Sequence, residues 1–245
     1  MGSGGLILIM IVGPILLILV GIVAYYSWKK EQARKAALSA LAVELGLSWD
    51  PSRDTGHDDR YSNFEVFRRG HTRSAYNTMT GTHAVGGRPF PLIMGDFTYK
   101  VTSHNGKSST TTTYRFSYLI LHLPYPGVPD LLIRPEHLFD KLGSMLGFDD
   151  IDFESAEFSR TFMVKSPDRR FAYDVVTPAM MEFLLSLPSP PTIDMERSML
   201  CLTDGRRRWT PEQFRGTLEF ADRFLSLWPE HVVHDLTTRA TGRVG

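Results

Sequence analysis

The sequence predicts an α+β protein: an N-terminal transmembrane helix, then a domain of antiparallel sheet with helices. Three observations indicate this fold class. Residues 6–26 contain no charged side chain, residues 64–124 alternate apolar and polar positions as strands do, and three later segments begin like helices at a proline. We expect the sheet to start as a meander and to continue as strand–strand–helix units.

The uncharged run is long enough to be a membrane span. Residues 6–26 would extend roughly 31 Å as a helix, close to the hydrocarbon thickness of a bilayer. The membrane-interface residues that we predict are Tyr25, Tyr26, Trp28, Lys29 and Lys30. We therefore assign 1–5 as a short outside stub and 6–28 as the transmembrane helix. A cleaved signal peptide fits less well, because the first five residues carry no charge and no cleavage motif follows.

Basic residues set the predicted orientation. Lys29, Lys30, Arg34 and Lys35 follow the span, whereas the N-terminal stub has no basic residue. The positive-inside rule then predicts a single-pass protein of the cell inner membrane, with the N-terminus outside and the C-terminal domain in the cytoplasm. The lipid bilayer is the first predicted partner.

Residues 29–46 have the pattern of a juxtamembrane helix. Small apolar residues recur at three- and four-residue spacing, and Gly46 suits a C-terminal cap. We favour a stalk that packs on the domain over a helix that lies on lipid.

The first part of the domain is predicted to be a meander of antiparallel strands. The expected strands are 64–70, 74–83, 88–102 and 110–124. Gly86–Gly87 and Asn105–Gly106 are turn dipeptides, and Asn-Gly is a strong hairpin signal.

Proline marks the predicted helix starts in the second part. Pro135, Pro178 and Pro211 suit the first helical position, where a missing N–H costs nothing. Thr177 and Thr210 would be N-caps, and Gln213 would complete a capping box with Thr210.

The segments between these helices are predicted to be hairpins, over 161–176 and 192–209, with a turn at Asp204–Gly205. Residues 47–234 would form the soluble domain, with 47–130 and 131–234 as candidate halves. Residues 235–245 are polar and are predicted to be a disordered tail.

Composition narrows the functional classes. The chain of 245 residues is 42% hydrophobic, enough to bury a core, and its 27 basic residues equal its 27 acidic ones. The chain therefore lacks the net positive charge that would indicate binding to nucleic acid. Cys201 is the single cysteine, so the chain cannot form an intramolecular disulfide. Its apolar neighbours predict that it is a small buried side chain in a strand.

Two segments contain oxygen and nitrogen ligands of the kind that metals bind. Residues 54–60 supply candidate ligands, and a second acidic stretch lies at 148–154. The candidates are Asp54, His57, Asp58 and Asp59 in the first, and Asp149, Asp150, Asp152 and Glu154 in the second. Spacing alone does not make a site, because ligands must converge on one ion. We favour solvated charges in both segments, and expect no metal.

Two further clusters have structural interpretations. His231 and His234 share a helix face and suit cations near the end of the last helix. Arg206, Arg207 and Arg208 would lie at a hairpin tip and strand start, where they could bind phosphate, lipid headgroups or an acidic partner.

One segment resembles a known family. Residues 153–186 match a bacterial family of membrane-anchored proteins catalogued as a domain of unknown function. The matching positions are Phe158, Phe162, Val164, Ser166, Asp168, Ala172, Thr177, Pro178, Met181 and Glu182. The resemblance implies a shared order of anchor, strand-rich half and this segment. It implies no activity, since that family has no assigned catalytic residues.

No nucleotide-binding, zinc-protease or serine-hydrolase motif occurs in the chain, so we expect no cofactor. The sequence favours a non-enzymatic binding or scaffolding module at the cytoplasmic membrane surface, with a protein partner at the membrane. The alternative is a metal-assisted hydrolase that uses the Asp and His residues of 54–59 and 149–154.

Overall fold

The structure is a computed structural model that describes residues 3–106, 108–136 and 149–241, with side chains from Ile15 to Thr238. The chain divides into two compact units, residues 1–45 and 46–245. The predicted helix after Pro135 falls largely outside the described residues, whereas the acidic positions Asp149, Asp150, Asp152 and Glu154 lie within them.

The first unit contains one long helix, α1 (Ser3–Glu44). Its 42 residues correspond to about 63 Å, so the helix predicted over 29–46 is the second half of α1. Gly46 follows with φ of 67°, as a C-terminal capping glycine requires. Residues 6–14 of the predicted span lie outside the residues whose side chains are described. Within the described part of the chain, no helix has the length and apolarity to cross a membrane.

The second unit contains one antiparallel sheet of eight strands, in the order β1-β2-β3-β4-β8-β7-β5-β6. The strands are β1 (Ser48–Asp50), β2 (His71–Val85), β3 (Arg88–Asn105), β4 (Ser108–His122), β5 (Leu131–Pro135), β6 (Phe162–Lys165), β7 (Thr192–Glu196) and β8 (Met199–Thr203). The α+β fold class is confirmed. Strands from both candidate halves belong to this sheet.

The predicted meander is confirmed in β2, β3 and β4. Val85 pairs with Arg88, so Gly86 and Gly87 form a two-residue turn at φ of 54° and 78°. Asn105 pairs with Ser108 in the second hairpin. Beyond the pairing of His71 with Lys100, β3 and β4 continue together as a two-stranded ribbon.

The helices of the second unit are α2 (His57–Arg60), α3 (Glu65–Arg68), α4 (Ala156–Thr161), α5 (Arg169–Val175), α6 (Pro178–Leu185), α7 (Pro211–Ser226) and α8 (Glu230–Thr241). Thr177 caps α6 and Thr210 caps α7, both as predicted. The capping box is present: the Gln213 N–H donates to Thr210 Oγ1 at 3.3 Å, and the Thr210 N–H donates to Gln213 Oε1 at 2.9 Å.

Two secondary-structure predictions were wrong. Residues 64–70 contain the short helix α3 and not a strand, because the apolar Phe64, Val66 and Phe67 cover the sheet from outside it. Residues 171–175 are helical because the Asp168 carboxylate accepts from the Phe171 N–H and starts α5. Pro135 is the last residue of β5.

Two predictions about the C-terminal part of the chain were also wrong. The hairpin of β7 and β8 turns at Arg197 and Ser198, both in the left-handed region, and not at Asp204–Gly205. Residues 235–241 belong to α8 and not to a disordered tail, because Val232 and Leu236 on one helix face are buried.

In residues 153–186, several of the positions named for the predicted family resemblance have structural roles. Phe158, Phe162 and Val164 are buried, and Asp168 and Thr177 are helix caps. These roles account for the motif without a reaction.

The sheet has an aromatic layer on one face. Phe67, with Phe64 and Val66, packs on Phe97, Phe116 and Tyr118 of β3 and β4, and the Phe67 and Phe97 ring centroids are 5.0 Å apart. Because side chains alternate along a strand, Leu119 and Leu121 face the other side, where α7 packs against β2 and β4. The core thus lies on both faces of one sheet.

A bulge bends β2 opposite Gly95. Asn77 and Thr78 together oppose Gly95, and Asn77 has φ of 50°. A Cβ atom at Gly95 would lie 3.0 Å from Thr78 Cα, 3.1 Å from the Asn77 carbonyl oxygen and 3.2 Å from the Tyr76 carbonyl oxygen. The bulge therefore requires glycine at this position.

We predict that Gly95→Ala lowers the free energy of unfolding by about 1–3 kcal/mol, because the added methyl group would be too close to the backbone atoms of β2. The matched control is Gly216→Ala in α7, where a Cβ would meet nothing within 4 Å. That control should raise stability by up to about 1 kcal/mol, since alanine favours helix. Urea melts of the three proteins compare them, and equal effects of the two substitutions would contradict the bulge constraint.

We also predict that Thr210→Ala costs about 1 kcal/mol of stability, the usual effect of losing an N-cap. Thr210→Ser should cost little because serine keeps the accepting oxygen. Thr217→Ala, which removes a hydroxyl from the body of α7, is the control and should not destabilise. Thermal melts measure all three. Equal stability of the alanine and serine variants at position 210 would contradict the capping role.

Candidate functional site

A small polar cavity lies on the sheet face that carries the aromatic layer, where that layer gives way to β8, β7 and β5. We call it the mixed-charge cavity. Its volume is about 40 Å³. Its lining residues are Glu65, Val66, Arg69, Leu132, Arg134, Thr192, Asp194, Cys201, Thr203, Asp204, Gly205 and Arg206.

Strand register explains why these residues meet. Asp194 pairs with Leu132 on one side and with Cys201 on the other, so the three form one row across the sheet. Thr192 pairs with Thr203 in the next row on the same face. A floor of polar and apolar side chains thus crosses three adjacent strands.

Helix α3 and the loop after β8 form the other walls. Arg69 follows α3, and its Nε lies 3.7 Å from Glu65 Oε1. Gly205 has φ of 64°, and a Cβ there would be 3.4 Å from an Arg69 guanidinium nitrogen. The Gly205 N–H donates to Thr203 Oγ1 at 2.9 Å, which holds the loop against the sheet.

Asp194 is the most perturbed acid of this cavity. Burial raises the pKa of its carboxyl well above the ordinary value, and Glu196, Glu65 and Asp130 raise it further, while Arg134 opposes the shift. Its Oδ1 atom is buried and has no hydrogen-bond partner among the described residues. An unmade hydrogen bond of this kind costs about 1–3 kcal/mol, so a group that supplies one would bind favourably.

Two neighbours share this electrostatic environment. Burial, with the charge of Asp130, raises the pKa of Glu196 to about 7, although Arg68 and Arg197 act in the opposite direction. Burial raises the pKa of the Cys201 thiol well above its ordinary value, and Asp194 adds to this shift. Cys201 therefore stays a thiol at neutral pH and is a poor nucleophile.

The chemistry of the cavity favours binding over covalent catalysis. It offers guanidinium donors and carboxyl acceptors but no activated nucleophile beside a base. In the described ranges, no group of three or more His, Cys, Asp or Glu residues could hold a metal ion.

The structure does not bring the predicted metal candidates together. Asp54 bonds with Arg60, and Asp58 accepts from Arg73 Nε at 2.6 Å, so both acids are paired with arginine. His57 is fully buried. Asp59, the fourth candidate, is exposed.

His57 lies inside an aromatic cage. The rings of Tyr61, Phe67, Phe97 and Tyr118 have centroids 4.7–5.8 Å from the imidazole. Tyr118 Oη is 3.5 Å from Nδ1, and Nε2 is buried with no hydrogen-bond partner among the described residues. Burial lowers the pKa of His57 to about 3, which leaves the ring neutral in the folded protein.

The other candidates occupy surface or capping positions. Asp150 lies 3.7 Å from Lys165, and Asp152 accepts a hydrogen bond from Tyr173 through its carbonyl oxygen. Arg206–Arg208 lie in the loop after β8 and not at a strand start, so strand alternation does not orient them. His231 and His234 lie in the first turns of α8, not near the end of the last helix.

The predicted membrane-interface residues are exposed. Tyr25, Tyr26 and Trp28 expose 56%, 65% and 59% of their surface, and Lys29 and Lys30 are exposed as well. The apolar side chains before them, from Ile15 to Val23, are also largely exposed.

Sequence reasoning missed Asp194 and Glu196. A signal was present, because the segment TIDME places two acids two residues apart and hence on one face of a strand. The residues that lie near this face could not be predicted, because Arg69 and Arg134 come from distant segments of the chain.

No family model matches the sequence, and no curated protein does. Among solved structures, the fold is similar to the crystal structure of the mycobacterial trehalose monomycolate transport factor A, TtfA. The TM-score is 0.54 at 12% sequence identity, and the match covers 80% of this chain and 96% of that chain. A likeness at this identity shows a shared fold.

We predict that His57 makes folding depend on pH. Its pKa is about 3 when folded, against 6.5 for an ordinary histidine, so the unfolded chain binds more protons between these values. The free energy of unfolding therefore has its full value above pH 6.5 and decreases as the pH falls toward 3. The total decrease is several kcal/mol, at about 1.4 kcal/mol for each pKa unit.

The measurement is the free energy of unfolding at intervals from pH 7 to pH 4, for the protein and for His57→Gln. The difference between the two should shrink as the pH falls, because glutamine does not titrate. His104→Gln, at an exposed position, is the control and should leave the profile unchanged. Parallel profiles for the protein and His57→Gln would contradict the prediction.

Proposed function

We propose that this protein is a non-enzymatic binding factor, anchored in the membrane, that serves the transport of an amphiphilic glycolipid. The single observation that carries the proposal is the fold shared with a trehalose monomycolate transport factor over nearly all of that chain. The chemistry of the mixed-charge cavity supports it, since that site can bind but lacks a nucleophile.

Cavity sizes favour a factor that binds part of a lipid over a carrier that encloses it. The mixed-charge cavity measures about 40 Å³, and a second cavity, at Asp168 and Phe171, measures about 60 Å³. Sites that enclose a drug-sized ligand have about 300–1,000 Å³. Two larger spaces, of about 280 and 580 Å³, are open grooves on the surface. Neither of the two small cavities would enclose an acyl chain.

The proposed anchor is the N-terminal half of α1. Its support is the uncharged run 6–26 together with the exposed apolar side chains that are described from Ile15 onward. Basic residues after the run support a cytoplasmic C-terminal domain, and the aromatic residues Tyr25, Tyr26 and Trp28 support a membrane interface at this position.

The test of transport uses cells that produce this protein naturally. Depletion should shift glycolipids from the outer surface to the inner membrane, as measured by lipid extraction and mass spectrometry. The full chain should restore the distribution, whereas a chain without residues 1–28 should not. An unchanged distribution of every extracted glycolipid after depletion would overturn the proposal.

We predict that a chain without residues 1–28 is soluble and unfolds cooperatively, because residues 46–245 form a compact unit with its own core. The full chain should sediment with membranes, resist extraction by high salt and dissolve in detergent. Full-length protein in the soluble fraction would contradict the anchor. Aggregation of the fragment would contradict the independent domain.

The orientation has its own test. A cytoplasm-dependent reporter fused after Gly245 should be active, and a periplasm-dependent reporter at the same site should be inactive. A fusion to the chain without residues 1–28 controls for reporter folding. Activity of the periplasm-dependent reporter after the full chain would reverse the assignment.

A further inference from the structure

We propose that the mixed-charge cavity binds the hydroxylated edge of a sugar ring. This inference rests on the proposed function, because it names the part of the glycolipid that the protein recognises. It is carried by four features of the cavity: an unsatisfied buried carboxyl oxygen, opposed charges, an apolar wall and a volume that suits two or three hydroxyl groups.

The unsatisfied group is Asp194. Asp194 lines the cavity, and its buried Oδ1 has no hydrogen-bond partner among the described residues. A hydroxyl group suits this position in either protonation state, because it donates to a carboxylate and accepts from a carboxylic acid. A ligand with only donors or only acceptors would satisfy one state alone.

The charges around Asp194 disfavour a ligand of either sign. Arg69, Arg134 and Arg206 line the cavity together with Glu65 and Asp204. A compact anion would contact carboxylates there, and a compact cation would contact guanidinium groups. A neutral polyol avoids both repulsions, since each of its hydroxyl groups can donate to a carboxylate and accept from an arginine.

The remaining wall is apolar. Val66, Leu132 and Cys201 lie on it, and Cys201 presents a thiol and not a thiolate. Sugar rings have C–H groups beside their hydroxyls, so they match a surface that is polar on one side and apolar on the other.

Size restricts how much of the ligand enters. A volume of about 40 Å³ corresponds to roughly three water molecules, at about 10–15 Å³ each. Two or three hydroxyls on one edge of a ring would replace those positions, and the rest of the ring would remain at the opening. The same edge chemistry belongs to a free sugar and to a glycolipid headgroup.

The experiment uses the full chain in lipid nanodiscs and saturation-transfer NMR. One arm adds free trehalose, and the other adds trehalose esterified with one fatty acid in the nanodisc. We expect transfer to ring protons in at least one arm. Signal in both arms identifies the sugar alone as sufficient, and signal only in the second identifies a membrane-presented headgroup.

Two variants locate the site. Asp194→Ala removes the unsatisfied carboxyl, and Val66→Phe fills the cavity without removing a hydrogen-bonding group. Each should weaken binding at least tenfold. The matched control is Glu219→Ala on the exposed surface of α7, which should bind as the protein does. Thermal melts identify a variant that has lost its fold, and the other variant then decides.

Two results would overturn the inference. One is the absence of sugar binding in both arms by folded protein, which would leave the cavity to water. The other is binding that both folded variants retain. Either result leaves the glycolipid redistribution experiment unaffected, so failure of this site is distinguishable from failure of the proposed function.

Discussion

The buried carboxylate of Asp96 links strands β2 and β4 to the segment that enters α7. Its Oδ2 accepts from Asn77 Nδ2 at 3.0 Å, and its Oδ1 accepts from Ser117 Oγ at 2.6 Å. Ser117 Oγ in turn accepts from the Trp209 N–H at 2.8 Å. One charge therefore ties the β2 bulge, the middle of β4 and the segment that enters α7. Low dielectric surroundings strengthen such a network and make any broken member costly, so the geometry of all three segments is restricted together.

This network also accounts for the position of the candidate site. Thr203 Oγ1 donates to the Ser117 carbonyl oxygen at 2.8 Å and accepts from the Gly205 N–H, so the loop that carries Asp204 and Arg206 begins from a fixed point. On one side of this point the sheet is covered by aromatic rings, and on the other by Glu65 and Arg69. A rigid apolar region thus adjoins a polar one, and Asp194 Oδ1 is an unsatisfied group of the polar region. Binding residues supported in this way lose little entropy when a ligand arrives.

The sequence predicted features that depend on neighbouring residues, and it did not predict features that depend on residues far apart in the chain. The caps at Thr177 and Thr210 and the turn at Gly86–Gly87 depend on neighbours within a few residues, so their signals were readable. Residues 64–70 were mistaken for a strand because alternating apolar residues also suit a short segment that covers a sheet. Residues 171–176 were mistaken because the cap at Asp168 was not recognised. The cavity was not predictable, since Glu65, Arg134 and Asp194 meet only through strand order. The arginine partners of Asp54 and Asp58 were not predicted either, because the spacing within 54–60 does not show which charges pair.

The seam between β4 and β8 has a consequence for how the chain acquires its structure. Ser117 and Thr203, which bond across this seam, are 86 residues apart in sequence. The meander forms from neighbouring segments, but its β4 edge, with Leu119, Ile120 and Leu121, has no partner until Met199–Thr203 have been synthesised. Closure of so large a loop is slow compared with hairpin formation. During translation an apolar strand edge is therefore exposed for many residues, and the growing chain is most susceptible to mispairing at that stage.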